Sequence, residues 1–152
     1  MATDNDNVIS TLNNLIETCK DGENGFRTAA EGVKNSELTT LFNTYSQQRA
    51  QFAAELQAEV RNLGGDPENT GSVAATLHRG WINIKSTVTG EDEAAVISEC
   101  ERGEDSAIKN YKEALSATLP ANLQTIIQRQ FTQVKEAHDR IRAMEKAGSA
   151  GA

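Results

Sequence analysis

The hexapeptide Cys19-Lys-Asp-Gly-Glu-Asn24 returns as Cys100-Glu-Arg-Gly-Glu-Asp105, at an offset of 81 residues (104 − 23). An isoleucine stands three residues before each cysteine, at Ile16 and Ile97, so the flanks repeat with the motif. A motif used twice at this spacing implies two halves of one design, with Glu23 and Glu104 in corresponding places.

The apolar spacing around the motif sets the kind of element. Val8, Leu12, Leu15, Cys19, Phe26, Ala30 and Val33 alternate by threes and fours, the seam of an amphipathic helix over 6–34. Leu38, Leu41, Phe42, Tyr45, Gln48, Phe52, Leu56, Val60 and Leu63 trace a second over 37–63. Asn35-Ser36 closes the first helix and lets Ser36 cap the second, and so short a connection makes an antiparallel hairpin. Gly64-Gly65 stops the second helix where a positive φ is easily adopted, and Asp66-Pro67-Glu68-Asn69-Thr70-Gly71 is turn chemistry throughout.

Residues 72–88 carry Val73, Leu77, Trp81, Ile82 and Ile84 and read as a shorter helix interrupted at Gly80. At about 1.5 Å per residue it crosses most of a bundle's length. Two further long helices follow. The one over 92–117 has Val96, Ile97, Cys100, Glu104, Ala107, Tyr111 and Leu115 on its seam; the one over 120–146 is opened by Pro120 and has Leu123, Ile127, Gln130, Val134, Ala137, Ile141 and Met144. Residues 148–152 read as a flexible tail. The expected fold is all-α: a single domain over 1–147, an antiparallel four-helix bundle whose long crossover holds a shorter fifth helix.

The midpoints of the four long helices carry polar residues on or beside apolar seams. Glu23, Gln48, Gln51, Glu104, Gln130 and Gln133 all fall near half-height, and Gln48-Arg-Ala-Gln51 matches Gln130-Phe-Thr-Gln133 at an offset of 82 (130 − 48). Each half thus supplies one Glu and one Gln-x-x-Gln to a polar waist. Di-iron carboxylate bundles instead take a Glu from each of two helices and Glu-x-x-His from each of the other two. The motif layout resembles the ferritin-like superfamily. Over nearly its whole length the chain is similar to an uncharacterised bacterial family of four-helix-bundle proteins, on the strings Leu15-Ile-Glu-Thr-Cys-Lys-Asp-Gly-Glu-Asn-Gly-Phe-Arg27, Gln48-Arg-Ala-Gln-Phe-Ala-Ala-Glu-Leu56, Leu77-His-Arg-Gly-Trp-Ile82 and Glu99-Cys-Glu-Arg-Gly-Glu-Asp105. The resemblance implies a ferritin-like bundle with a long crossover and brings no activity with it.

Ligand chemistry separates the functional readings. Iron ions need bridging carboxylates and imidazoles, whereas a Gln amide is a neutral, weak oxygen donor. The first reading is a metal-free Glu/Gln layer in a non-enzymatic structural or interaction protein without a cofactor; on it, changing Glu23 and Glu104 to Gln costs little stability or raises it. The second is a di-iron-type oxidase or iron-handling protein, holding iron or another divalent metal with Glu23 and Glu104. A third places a small ligand in the core around the waist.

Cys19 and Cys100 flank the layer one helical turn from their glutamates. They are expected on opposite sides of it, as reduced core thiols without a mutual bond. His138 reads as partly exposed, or as part of a polar cluster near Glu136 or Asp139, and His78 as a surface or packing residue. Neither a phosphate loop nor a nucleophile elbow occurs.

Charge narrows the partners. Fifteen Lys and Arg against 22 Asp and Glu give −7, which repels nucleic acid and anionic lipid. Neither a secretory leader pattern nor an apolar run of about 18 residues is present, so the expected setting is the cytoplasm, with a homodimer or a protein partner rather than a membrane.

Overall fold

The computed structural model describes residues 2–67, 81, 83–90 and 92–151, with side chains described for those between 5 and 147. Among the described residues every regular element is helical: α1 (Ala2–Glu31), α2 (Ser36–Asn62), α3 (Ile84–Thr89), α4 (Glu93–Ser116) and α5 (Ala121–Gly151). The all-α class follows.

The boundaries show which local signals acted. Asn35 rather than Ser36 caps α2: its backbone is extended (φ −66°, ψ 120°) and its Oδ1 accepts from the amides of Glu37 and Leu38. That extended residue makes the chain leave α1 early, at Glu31 instead of 34. Asp92 caps α4 in the same manner, accepting from the Ala95 amide. Gly64 takes the positive φ expected of it, 82°, and the Gly65 amide closes the end of α2 on the Val60 carbonyl at 2.9 Å. The Pro120 carbonyl accepts the first bonds of α5, from Leu123 and Gln124. That helix runs on to Gly151, past the expected end at 146 and through the expected tail, because Ala143, Ala147 and Ala150 favour helix and no proline stops it. Of the expected crossover helix, Ile84–Thr89 is helical; residues 72–80 and Ile82, with His78, lie outside the described residues.

Direction follows from the contacts. Asn5 Nδ2 donates to the Leu63 carbonyl and Ser46 Oγ to the Glu23 carbonyl, so α1 and α2 are antiparallel. Cys19 meets Tyr111 while Gly25 and Gly103 share one neighbour, Trp81, so α4 also runs opposite to α1. Tyr111–Gln130 and Asp105–His138 make α4 and α5 antiparallel, and Gln48–Gln133 and Glu55–Gln130 do the same for α2 and α5. Hence α2 and α4 point the same way, with the end of α2 beside Asn5 and the start of α4 beside Asn35, at opposite ends of α1.

Two apolar clusters fill the interior. One gathers Leu12, Leu15, Cys19, Phe52, Leu56, Tyr111 and Ile127; the other gathers Phe26, Phe42, Trp81, Cys100 and Ile141. The buried Arg49, Glu104 and Gln130 accompany these clusters in the interior.

Candidate functional site

Arg49 occupies the middle of the molecule. It is only 1% exposed, and its Nη1 and Nη2 donate to the two carboxylate oxygens of Glu104, itself fully buried, at 2.5 and 2.6 Å. A planar guanidinium matches a carboxylate edge to edge, so this is the strong, bidentate form of the pair. The third guanidinium nitrogen, Nε, donates to Gln48 Oε1 at 3.2 Å, and the guanidinium carbon stands 5.4 Å from the centre of the Phe26 ring. Burial alone would lower the Arg49 pKa; the charge and hydrogen bonds of Glu104 outweigh it and raise it, so the cation persists at any ordinary pH.

The repeated glycine makes room for this arrangement. A Cβ on Gly22 would sit 3.2 Å from both Cγ and Nη1 of Arg49. In the second copy of the motif the matching Gly103 serves another neighbour: a Cβ there would fall 2.2 Å from Cε2 of Trp81, and one on Gly25 2.3 Å from the same indole. The two copies have therefore diverged in what they receive, an arginine in one and a tryptophan in the other.

The expected layer is redistributed accordingly. Glu104 and Gln130 are fully buried, Glu23, Gln48 and Gln133 are half-buried, and Gln51 faces solvent. Among the described residues no hydrogen bond joins Glu23 to Glu104. The Gln51 position is corrected, and the reason is helical register: Arg49 lies seven residues from both Phe42 and Leu56, each 0% exposed, and so takes the central stripe of α2. That heptad spacing was the available signal for Arg49. Apolar contrast alone favoured Gln48 over a charged neighbour.

A second polar chain crosses beside the pair. Cys19 Sγ lies 3.2 Å from the Tyr111 hydroxyl, which donates to Gln130 Oε1 at 2.7 Å; Gln130 Nε2 donates to Glu55 Oε1 at 2.8 Å, and Arg129 pairs with the other Glu55 oxygen. Gln48 Nε2 reaches Gln133 Oε1 at 3.4 Å. Burial lifts the Cys19 thiol to about 11 against the opposing hydrogen bond of Tyr111 and charge of Arg49, and pushes the Tyr111 hydroxyl well above its ordinary range. Both groups keep their protons. Burial raises Cys100 strongly too. Both cysteines are free, buried, and in different apolar clusters.

Away from this centre, α4 and α5 bring Glu101, Asp105 and His138 together. His138 is 7% exposed, which corrects its reading as partly exposed; its Nε2 lies 2.7 Å from Asp105 Oδ1 and its Nδ1 3.1 Å from Asp139 Oδ1. Burial pulls its pKa down, but the two carboxylates outweigh that and hold it above the ordinary value. Of the neighbours anticipated from sequence Asp139 is present, whereas Asp105, from the facing helix, has no local signal. An open cleft of about 520 Å³ lies beside Trp81, lined by Asp21, Gly25, Arg27 and Lys85 among others.

A family model described as "Domain of unknown function (DUF2383)" matches residues 7–117, well over half of the 152, and the chain belongs to that family. The matched part contains Glu23, Arg49 and Glu104 and stops before α5, which brings Gln130 and His138. No curated protein matches the chain.

Proposed function

We propose that this member of the DUF2383 family is a ferritin-like four-helix bundle whose centre is held by an internal cation, Arg49, and that it acts as a structural or interaction protein rather than an enzyme. The bidentate pairing of Arg49 with Glu104 carries the reading. Di-iron chemistry needs several anionic carboxylates around as many as four positive charges. Here one central carboxylate is neutralised by a guanidinium, the other candidate, Glu23, is half-buried and makes no hydrogen bond to it, and the Gln130 and Gln48 amides are engaged in side-chain bonds. A metal ion entering between the helices would face the Arg49 cation at close range, with the Glu104 carboxylate already taken by it. The antiparallel pairings and the returning connection between α2 and α4 support the ferritin-like topology.

The expected setting is the cytoplasm and the expected mode of action is contact with a second copy or another protein. No helix among the described residues is long and apolar enough to cross a membrane. The net charge of −7 disfavours nucleic acid as a partner. The test is anaerobic Fe(II) titration of chelator-treated protein followed by oxygen. Oxidation at the buffer rate is the expected result. About two iron ions per chain, oxidised rapidly and lost in Glu104→Gln, would overturn the reading in favour of an iron-handling protein.

A further inference from the structure

The α4 and α5 helices present a second polar constellation, distinct from the centre. Glu101 and Asp105 lie four residues apart on α4 and so share a face; His138 and Glu145 lie seven apart on α5 and share the face opposite. One donor atom from each of Glu101, Asp105 and His138 falls within 4.8 Å of the others. The arrangement of His138 is that of a ligand held in place. Asp139 accepts at one ring nitrogen, which leaves Nε2 directed at Asp105 Oδ1, 2.7 Å away. A carboxylate behind a histidine fixes the ring and its tautomer in metal sites generally. Glu145 on α5 is half-buried, meets the Glu101 carboxylate, and has its Oε2 shielded from solvent. Carboxylates brought this close repel each other unless a proton or a cation sits between them, so an ion at this place relieves a cost that the pair otherwise carries.

The geometry points to a divalent transition-metal site formed by Glu101, Asp105 and His138, with Glu145 as the fourth donor. One imidazole with carboxylate oxygens suits a borderline ion such as Zn²⁺, at bonds of about 2.0–2.2 Å. Neighbouring donors around such an ion stand about 3.4 Å apart in tetrahedral geometry. The donors therefore contract slightly overall while His138 and Asp105 separate, a movement open to Asp105 because its side chain is 60% exposed. Arg142 is a competing cation: its Nε is 4.0 Å from Glu101 Oε1 and its side chain is 56% exposed. It can swing into solvent as the ion enters. Arg49 is already committed to Glu104 and does not compete.

The test is Zn²⁺ titration of the full-length, chelator-stripped protein by calorimetry, with Co²⁺ absorption as the reporter of coordination. Saturation at one ion per chain is expected, with visible bands of four-coordinate intensity. Asp105→Asn and His138→Gln should each weaken binding by on the order of 10–100-fold, while Glu113→Gln, at an exposed position of the same helix, leaves it unchanged. Asp105 is exposed, so its variant remains informative if His138→Gln fails to fold. No saturable binding by the native chain, or binding that survives both substitutions as a diffuse acidic surface would give, overturns the assignment. Loss of this binding leaves the account of the centre untouched, because that rests on Arg49 and on iron.

Discussion

The indole of Trp81 lies directly on Gly103, so closely that a Cβ at that position would fall 2.2 Å from Cε2. Gly25 receives the same ring from α1, and Phe26 meets it edge-on with centroids 5.0 Å apart. One side chain from the returning connection thereby ties α1 to α4. Gly103→Ala and Gly25→Ala should each destabilise by several kcal/mol, since the ring has to be displaced; Trp81→Ala should cost about 3–5 kcal/mol. In the Trp81→Ala background, Gly103→Ala should become neutral or stabilising by up to about 1 kcal/mol, the ordinary gain of Ala over Gly in a helix. Urea unfolding of the three variants and the pair checks this.

Gly22 gives a gentler version of the same effect. Alanine there would touch Arg49 at 3.2 Å, and the guanidinium cannot retreat without loosening Glu104. A net loss of about 1–2 kcal/mol is expected despite the helix-propensity gain. With Arg49 replaced by Ala the sign should reverse, which a comparison of thermal midpoints in the two backgrounds would reveal.

Both thiols should be silent in the folded protein. A thiol reagent at pH 8 is expected to modify neither Cys19 nor Cys100 until the chain unfolds, because reaction needs the thiolate. The same burial makes stability depend on alkali. Cys19 rises from an ordinary 9.0 to about 11 on folding, so its stability contribution is complete below about pH 9 and lost as pH climbs to about 11, some 3 kcal/mol in order of magnitude. Cys19→Ala should flatten that limb of the stability–pH curve; an unchanged curve would contradict the assignment.

Much of the helical framework was legible because it rests on local rules. The seams from Val8 to Val33 and from Leu38 to Val60, the Gly64 stop and the Pro120 start need only a few residues of context. The site was less so. Glu104 and Gln130 were found as polar residues on apolar seams, and both are buried. Arg49 is hard to place from sequence because a charged residue stays exposed unless it has a buried partner, and that partner stands 55 residues away. Asp105 beside His138 is likewise a contact between helices. The internal repeat also suggested more symmetry than exists: one copy of the motif holds Arg49, while the other holds Trp81 and supplies the carboxylate.

That asymmetry changes the sign of one expectation. If Glu23 and Glu104 formed a layer satisfied by amides, removing both charges would be harmless. With Arg49 clasped to Glu104, removing the carboxylate alone strands a buried cation.

Equilibrium unfolding of Arg49→Met, Glu104→Gln and the double variant is the most direct measurement of the central pair. Each single change is expected to cost about 3–5 kcal/mol, and the double variant should cost less than their sum by about 1–3 kcal/mol. Costs that simply add, or a Glu104→Gln variant as stable as the native chain, would contradict a centre held together by Arg49 and Glu104.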